Sequence, residues 1–281
     1  MTILDGKNLA AKIRGEVAVK TAAYAAEGKR QPCLAVILVG EDPASQIYVR
    51  NKHNDCVTTG IKSLMNTLSA ETTEEELLSL IDRLNDDDSV DGILVQLPLP
   101  RHLNETKVTE RIRADKDVDA FSAYNVGKIT LGRDAFKPCT PYGVMRLLEE
   151  YNIDVKGKEC VVVGRSNIVG KPMALLLLAA GGTVTVCHTK TADLSFHTRR
   201  ADILIAAAGR ADLITGDMVK EGAVIVDVGM NRKDGVLCGD VDYAACAEKA
   251  SYITPVPGGV GPMTRAMLLE NTITAYNNHL K

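Results

Sequence analysis

The stretch Lys158–Ala174, KECVVVGRSNIVGKPMA, decides how this chain folds. Glu159 to Val163 is a short β-branched apolar run without polar alternation, the pattern of a strand buried on both faces. Gly164 ends it, and Arg165, Ser166 and Asn167 make a polar loop. Gly170 and Pro172 then lead into the apolar helix Met173–Leu178, whose first turn tolerates proline. Strand, glycine loop and helix start together present backbone N–H groups and a positive dipole end to a phosphate. The spacing from Gly164 to Gly170 is not the G-x-G-x-x-G fingerprint, so the loop alone fits any βα unit as well as a nucleotide site.

The next strand sharpens the reading. Thr183–Cys187 ends at His188-Thr189-Lys190, roughly twenty residues beyond Gly164, where an NAD-binding unit carries an Asp or Glu for the ribose hydroxyls. This chain has His188 and Lys190 there, with Arg165 and Ser166 in the first loop. Cationic and hydroxyl groups suit a ribose phosphate, and a missing carboxylate removes a repulsion, so NADP is favoured over NAD. The competing reading of Lys190 is a solvated loop lysine.

Bulk composition narrows the class. At about 150 residues per domain, a length of 281 suggests two. A hydrophobic share of 46% with 25% charged residues is that of a soluble globular enzyme. A net charge of −3 provides no field to hold a polyanion, which argues against a nucleic-acid partner. Met173–Ala180 is far short of the ~20 apolar residues that span a bilayer, and Asp5, Lys7 and Lys12 interrupt any signal peptide, so no membrane role is expected. Seven cysteines without a C-x-x-C pair read as reduced thiols in a cytoplasmic protein, and no metal site is visible.

Taken in order, residues 7–27 read as a helix with Leu9, Ile13, Val17 and Tyr24 near one face. Cys33–Val39 is a buried strand stopped by Gly40, and Ser45 serves as N-cap of a helix over 46–59. A strand at Ser63–Leu68, a helix over Thr73–Leu84 and a strand at Gly92–Val95 follow, and their β-then-α order implies a parallel sheet. Asp115–Asn125 reads as an irregular polar loop. A helix over 142–151 leads to the second βαβ set, with strands at Ile203–Ala206 and Val224–Asp227. Pro255–Pro262 reads as a loop, and a terminal helix carries Leu269, Ile273, Tyr276 and Leu280 on one stripe.

Tyr48 and Lys52 are i, i+4 on one helix face, where a lysine stem over an aromatic ring is the ordinary explanation. Gln96 stands at the carboxyl end of a strand, beyond which ligands bind in open α/β sheets. Asp119 fits a solvated turn carboxylate on local grounds. Together, however, Ser45–Lys52, Val95–Pro100, Lys116–Asp119, Pro138–Pro141, the Gly164 loop and Pro255–Thr264 resemble, in order, the bifunctional methylenetetrahydrofolate dehydrogenase/methenyltetrahydrofolate cyclohydrolase family.

The resemblance implies a two-domain α/β fold. Residues 1–137 with 265–281 would form a folate-binding catalytic domain with a parallel sheet, completed by the C-terminal helix. Residues 138–264 would form a Rossmann-type NADP-binding domain. It also implies tetrahydrofolate substrates, a homodimer, a catalytic lysine at Lys52 partnered by Gln96, a stacking ring at Tyr48 and a pterin-reading carboxylate at Asp119. Further substrate contacts fall on Val95, Leu97, Pro257, Gly258 and Gly259. Cofactor contacts fall on Thr140, Gly164, Arg165, Ser166, Ile168, Val169, His188, Thr189, Lys190, Ala208 and Gly209. A dehydrogenase without the hydrolytic step, or a nucleotide-sensing module without turnover, are the alternatives, and the joint presence of Lys52 and Gln96 argues against the first. The chain departs from the family at Ala120-Phe121-Ser122-Ala123, where Gly-Phe-His-Pro is usual, at Asn54, where a lysine is common, and at Ala211, where proline is.

The residue types suit these roles. A lysine of ordinary pKa near 10.4 is charged at neutral pH, and lowering it to about 7–8 disfavours the ammonium by roughly 4 kcal/mol. Glutamine can hold such an amine without adding the charge of a carboxylate. A carboxylate at Asp119 can accept paired N–H groups of an aminopyrimidinone, and the Tyr48 ring matches a benzoyl group.

Overall fold

The computed structural model describes residues 1–280. In chain order it contains β1 (Thr2–Ile3), α1 (Gly6–Ala26), β2 (Cys33–Val39), α2 (Pro43–Thr58), β3 (Lys62–Leu68), α3 (Glu74–Asp86), β4 (Gly92–Val95), α4 (Glu105–Arg111), α5 (Ala123–Thr130) and α6 (Cys139–Glu150). Then come β5 (Glu159–Val163), α7 (Gly170–Ala179), β6 (Thr183–Cys187), α8 (Leu194–Thr198), β7 (Ile203–Ala206), β8 (Val224–Asp227), β9 (Asn231–Lys233), β10 (Val236–Cys238), α9 (Tyr243–Ala247), β11 (Tyr252–Ile253) and α10 (Val260–His279). The chain divides into two compact units: Lys12–Cys139 with Arg265 onward, and Met1–Ala11 with Thr140–Thr264.

The first unit is built on a parallel sheet of order β3-β2-β4. All seven residues of β2 are buried, which is why its sequence shows no alternation. Leu77, Ile81 and Leu84 of α3 and Val108 of α4 pack with Ile37, Ile93 and Val95 in one core. Within this unit α10 is tied down by polar contacts: Tyr276 Oη donates to the Arg30 carbonyl at 2.7 Å, and Asn271 Nδ2 donates to the carbonyls of Val118 and Lys137 at 2.8 and 2.9 Å.

The second unit holds a six-stranded parallel sheet of order β1-β11-β8-β7-β5-β6 and the hairpin β9–β10. Strands β5, β7 and β8 are buried almost throughout, over a core of Val161, Leu204, Ile225 and Ile253. By their contacts the first eleven residues group with this unit. Thr2 and Ile3 pair with Tyr252 and Ile253, a two-residue ladder too short to leave a sequence pattern.

Several local expectations are corrected. Asp42, not Ser45, caps α2: its carboxylate accepts the Ser45 N–H at 2.8 Å while Pro43 fills the first turn, which an acidic cap and proline's fixed φ favour. The segment 115–125 is not all loop, since Ser122 caps α5, accepting the Asn125 N–H. The helix expected over 142–151 begins at Cys139. Val260–Pro262 already lie in the first turn of α10, where proline is tolerated. Leu280 is 44% exposed, off the buried stripe of Leu269, Ile273 and Tyr276.

Candidate functional site

Each unit has its own topological switch point, the place where strand order reverses and ligands bind beyond the carboxyl ends of the strands. In the first unit the chain leaves β2 for β3 on one side and returns to β4 on the other. The switch therefore lies between Gly40, which turns with φ 82°, and Gln96, whose N–H donates to the Ile37 carbonyl at 2.9 Å. Helix α2 follows β2 and brings Lys52 to this end.

Lys52 Nζ donates to Gln96 Oε1 at 3.1 Å, and Gln96 Nε2 donates to the Leu97 carbonyl at 2.6 Å. The second bond fixes the amide so that its oxygen faces the amine. Val95 is buried beneath this pair, whereas Leu97 is half-buried. Tyr48 sits one turn earlier on α2 and is 36% exposed.

Asp119 belongs to a different segment of the same unit. The segment Lys116–Asp119 runs along β4, with Ile93 N–H bonded to the Lys116 carbonyl at 2.8 Å. Asp117 is buried and accepts N–H groups of Phe121, Ser122 and Asn125. Burial pushes its carboxyl up, against those hydrogen bonds. Ala120 adopts φ 60°, the left-handed backbone that glycine would favour. The Cys139 thiol lies fully buried against this turn. Its pKa is pushed well up by burial and then by the hydrogen-bonded Asp119 carboxylate, while Lys52 opposes the shift. Asn271, which holds the Val118 carbonyl and lies 3.7 Å from Cys139 Sγ, completes the support.

The second switch point lies between β5 and β7. Gly164 has φ 132°, and a Cβ there would stand 2.1 Å from the Ala207 carbonyl oxygen; one on Gly170 would stand 2.3 Å from the Gly164 carbonyl oxygen. Only glycine lets the loop, helix α7 and the end of β7 approach this closely, and the cradle so formed fits a dinucleotide pyrophosphate. Arg165, Ser166 and Ile168 are exposed there and Val169 is half-buried. Two N–H groups expected to face a phosphate, those of Val169 and Gly170, instead donate to Ser166 Oγ at 3.2 and 3.3 Å. The hydroxyl keeps its own proton to donate outward. At the end of β6, His188 Nδ1 accepts the Lys190 N–H at 3.1 Å, and Thr189 and Lys190 are exposed. Ala208 and Gly209 are exposed after β7.

The remaining expected residues also fall in this unit. Thr140 Oγ1 lies 2.9 Å from Thr264 Oγ1. The turn Pro257–Gly259 packs on the start of α1: Lys7 N–H donates to the Gly258 carbonyl at 2.9 Å, and a Cβ on Gly6 would stand 1.8 Å from the Gly259 carbonyl oxygen. Lys52, Gln96, Tyr48, Asp119, Val95 and Leu97 thus share one unit, and Pro257–Gly259 with all eleven cofactor candidates share the other. Sequence reasoning missed Asp117, Cys139, Asn271, Asp227 and Asp240. Only Asn271 left a signal, a lone amide on the buried face of an apolar helix.

Two family models match the chain. Residues 4–119 match the tetrahydrofolate dehydrogenase/cyclohydrolase catalytic domain and residues 138–280 the NAD(P)-binding domain of the same name. The bifunctional protein FolD of Moorella thermoacetica is 59% identical over 274 residues, covering 97% of this chain and 98% of that protein. The crystal structure of the bifunctional enzyme FolD, methylenetetrahydrofolate dehydrogenase/cyclohydrolase, from Campylobacter jejuni superposes with a TM-score of 0.97 at 56% identity, covering 99% of each chain. The Trypanosoma brucei N5,N10-methylenetetrahydrofolate dehydrogenase-cyclohydrolase, complexed with NADP cofactor and inhibitor, gives 0.96 at 36% identity, covering 100% of this chain and 99% of that one.

Proposed function

We infer that this chain, which belongs to the tetrahydrofolate dehydrogenase/cyclohydrolase family, oxidises 5,10-methylenetetrahydrofolate to the 5,10-methenyl cation with NADP and hydrolyses that cation to 10-formyltetrahydrofolate. The observation that carries the reading is the 3.1 Å contact of Lys52 Nζ with Gln96 Oε1 at the switch point of the small sheet. A primary amine held by a neutral acceptor is what the hydrolytic step requires. With one N–H engaged by Gln96, the amine is placed to act on a water beside the methenyl carbon. Lys52 takes a proton as the C–O bond forms and returns it to the folate nitrogen as that nitrogen's bond to the carbon breaks, while the hydroxyl proton leaves to solvent as the formyl C=O forms.

The other residues of the first unit position the substrate. Tyr48 offers its ring to the aminobenzoate, Asp119 accepts the N–H pair of the pterin, and Val95 and Leu97 shape the surroundings. NADP, when bound, accepts the hydride from the methylene carbon. Gly164, Ile168 and Val169 form the pyrophosphate cradle, Arg165, Ser166, His188, Thr189 and Lys190 receive the ribose and its phosphate, and Thr140, Ala208 and Gly209 line the nicotinamide half. We assign the folate-binding catalytic domain to the small-sheet unit and the dinucleotide-binding domain to the six-stranded one, with a homodimer as the working assembly. A cytoplasmic setting accords with seven free cysteines, and the formyl product suits purine biosynthesis.

Two assays on one sample test this. Methylenetetrahydrofolate should reduce NADP in clear preference to NAD, and the methenyl absorbance should then decay. Lys52→Gln should lower that decay by at least ~100-fold. Wild-type decay in this variant, or turnover with NAD equal to that with NADP, would refute the respective assignment.

A further inference from the structure

The loop after β7 is fastened by a buried acid that the reading above does not use. Asp240 is fully buried, and its Oδ2 accepts the N–H groups of Ala208 at 2.6 Å and Gly209 at 2.9 Å. Its Oδ1 accepts the Arg210 N–H and Asn231 Nδ2, each at 2.8 Å. Three consecutive backbone N–H groups converging on one carboxylate form an anion nest, filled here by the protein's own side chain. Beneath it Asp227, the last residue of β8, accepts the N–H groups of Gly229, Asp240 and Val241, all at 2.9 Å. Two glycines make room for the pair: a Cβ on Gly239 would stand 1.8 Å from Asp227 Oδ2, and one on Gly229 2.2 Å from Asp240 Oδ1.

Peptide planarity converts this into a statement about the site. In a trans peptide the C=O points opposite to the N–H of the same unit. With the N–H groups of Ala208, Gly209 and Arg210 turned toward Asp240, the carbonyls of Ala207, Ala208 and Gly209 face away from it. The Ala207 carbonyl is the one against which Gly164 packs, and Ala208 and Gly209 are exposed. If the adenine ribose is read at the end of β6 and the pyrophosphate at Gly164, the nicotinamide half crosses to the β7 side of the switch point. There the carbonyl row meets the hydrogen-bond donors of that half, its ribose hydroxyls and carboxamide.

We propose that Asp240 is a positioning residue for hydride transfer, holding the Ala207–Arg210 loop so that its carbonyls receive the nicotinamide end of NADP. The proposal rests on the dehydrogenase–cyclohydrolase reading, and the second activity supplies its internal control, because hydrolysis of added 5,10-methenyltetrahydrofolate needs no dinucleotide. Asp240→Asn places an NH2 against part of the nest. The KM for NADP should rise at least tenfold while dinucleotide-free hydrolysis stays within twofold of wild type. An unchanged KM for NADP, or equal loss of both activities in a folded variant, would overturn the proposal. Should Asp240→Asn fail to fold, Asn231→Ala removes one donor to Oδ1, and a rise of about threefold in the KM for NADP with unaltered hydrolysis is expected; no rise would overturn it. Failure of the underlying reading looks different: the wild-type protein would then show neither activity.

Discussion

Gln96 shows how much one side chain can decide. Its oxygen lies 3.1 Å from the Lys52 amine, and its own NH2 is spent on the Leu97 carbonyl, so the amide cannot turn around without losing that bond. Gln96→Glu would replace a neutral acceptor by an anion of nearly the same size. An anion beside the amine favours its ammonium form, which cannot take a proton from water. Hydrolysis should fall by at least ~10-fold, which following methenyl decay would record; a rate equal to wild type would remove Gln96 from the reaction. Asp227 makes a separate prediction. Burial first, and the Asp240 charge in addition, raise its carboxyl to about 6 against the hydrogen bonds that lower it. A folded pKa above the unfolded value means that the folded state binds the extra proton, so the ionisation cost is present above pH 6 and relieved as pH falls through it. As pH falls from 7 to 5 Asp227 should add on the order of 1 kcal/mol of stability. Urea unfolding of wild type and Asp227→Asn at both pH values isolates that difference, and parallel behaviour of the two proteins would disprove it.

Among the elements, the glycine turn after β5 carries the sharpest consequence. A Cβ at Gly164 meets the Ala207 carbonyl at 2.1 Å on a backbone with φ 132°, so Gly164→Ala should cost about 3 kcal/mol and weaken NADP binding with it. A urea midpoint and an NADP titration equal to wild type would show that the turn relaxes without penalty. This turn was legible in the sequence because a buried β-branched strand, a glycine and an apolar helix each leave a pattern within a few residues. So were β2, β4, β7 and β8, whose apolar runs need no partner to be recognised. What escaped depends on residues far apart in the chain. Strands β1 and β11 have two residues each, and only their pairing defines them. The cap of α2 is the exception, since Asp42-Pro43 is a local signal for a helix start. Asp227 and Asp240 read as the polar end of a strand and a turn acid, and nothing local says that one holds the backbone N–H of the other. Lys52 and Gln96 were legible only through the resemblance, since 44 residues separate them in sequence.

At the scale of the whole molecule, the chain divides its labour. One unit carries Lys52, Gln96 and Asp119 on a three-stranded sheet, the other the glycine cradle on a six-stranded sheet, each at its own switch point. Stabilisation by a ligand is therefore expected to be local before it is global, because a ligand protects what it touches in proportion to RT ln(1 + [L]/Kd). At NADP concentrations near 100 times Kd the gain is about 2.7 kcal/mol, equivalent to roughly 100-fold slower amide exchange wherever exchange requires opening of that region. Hydrogen exchange followed by mass spectrometry should show this slowing in peptides spanning Gly164–Ala179 and Ile203–Arg210. A bound folate analogue should instead protect Pro43–Thr58 and Lys116–Thr130. The Asp240 variant should lose NADP protection in Ile203–Arg210 more than in Gly164–Ala179, because the adenine and pyrophosphate contacts would survive the substitution. Protection spread evenly through both units by either ligand alone would show that the chain responds as a single cooperative body, and the division of labour argued from the two switch points would then be wrong.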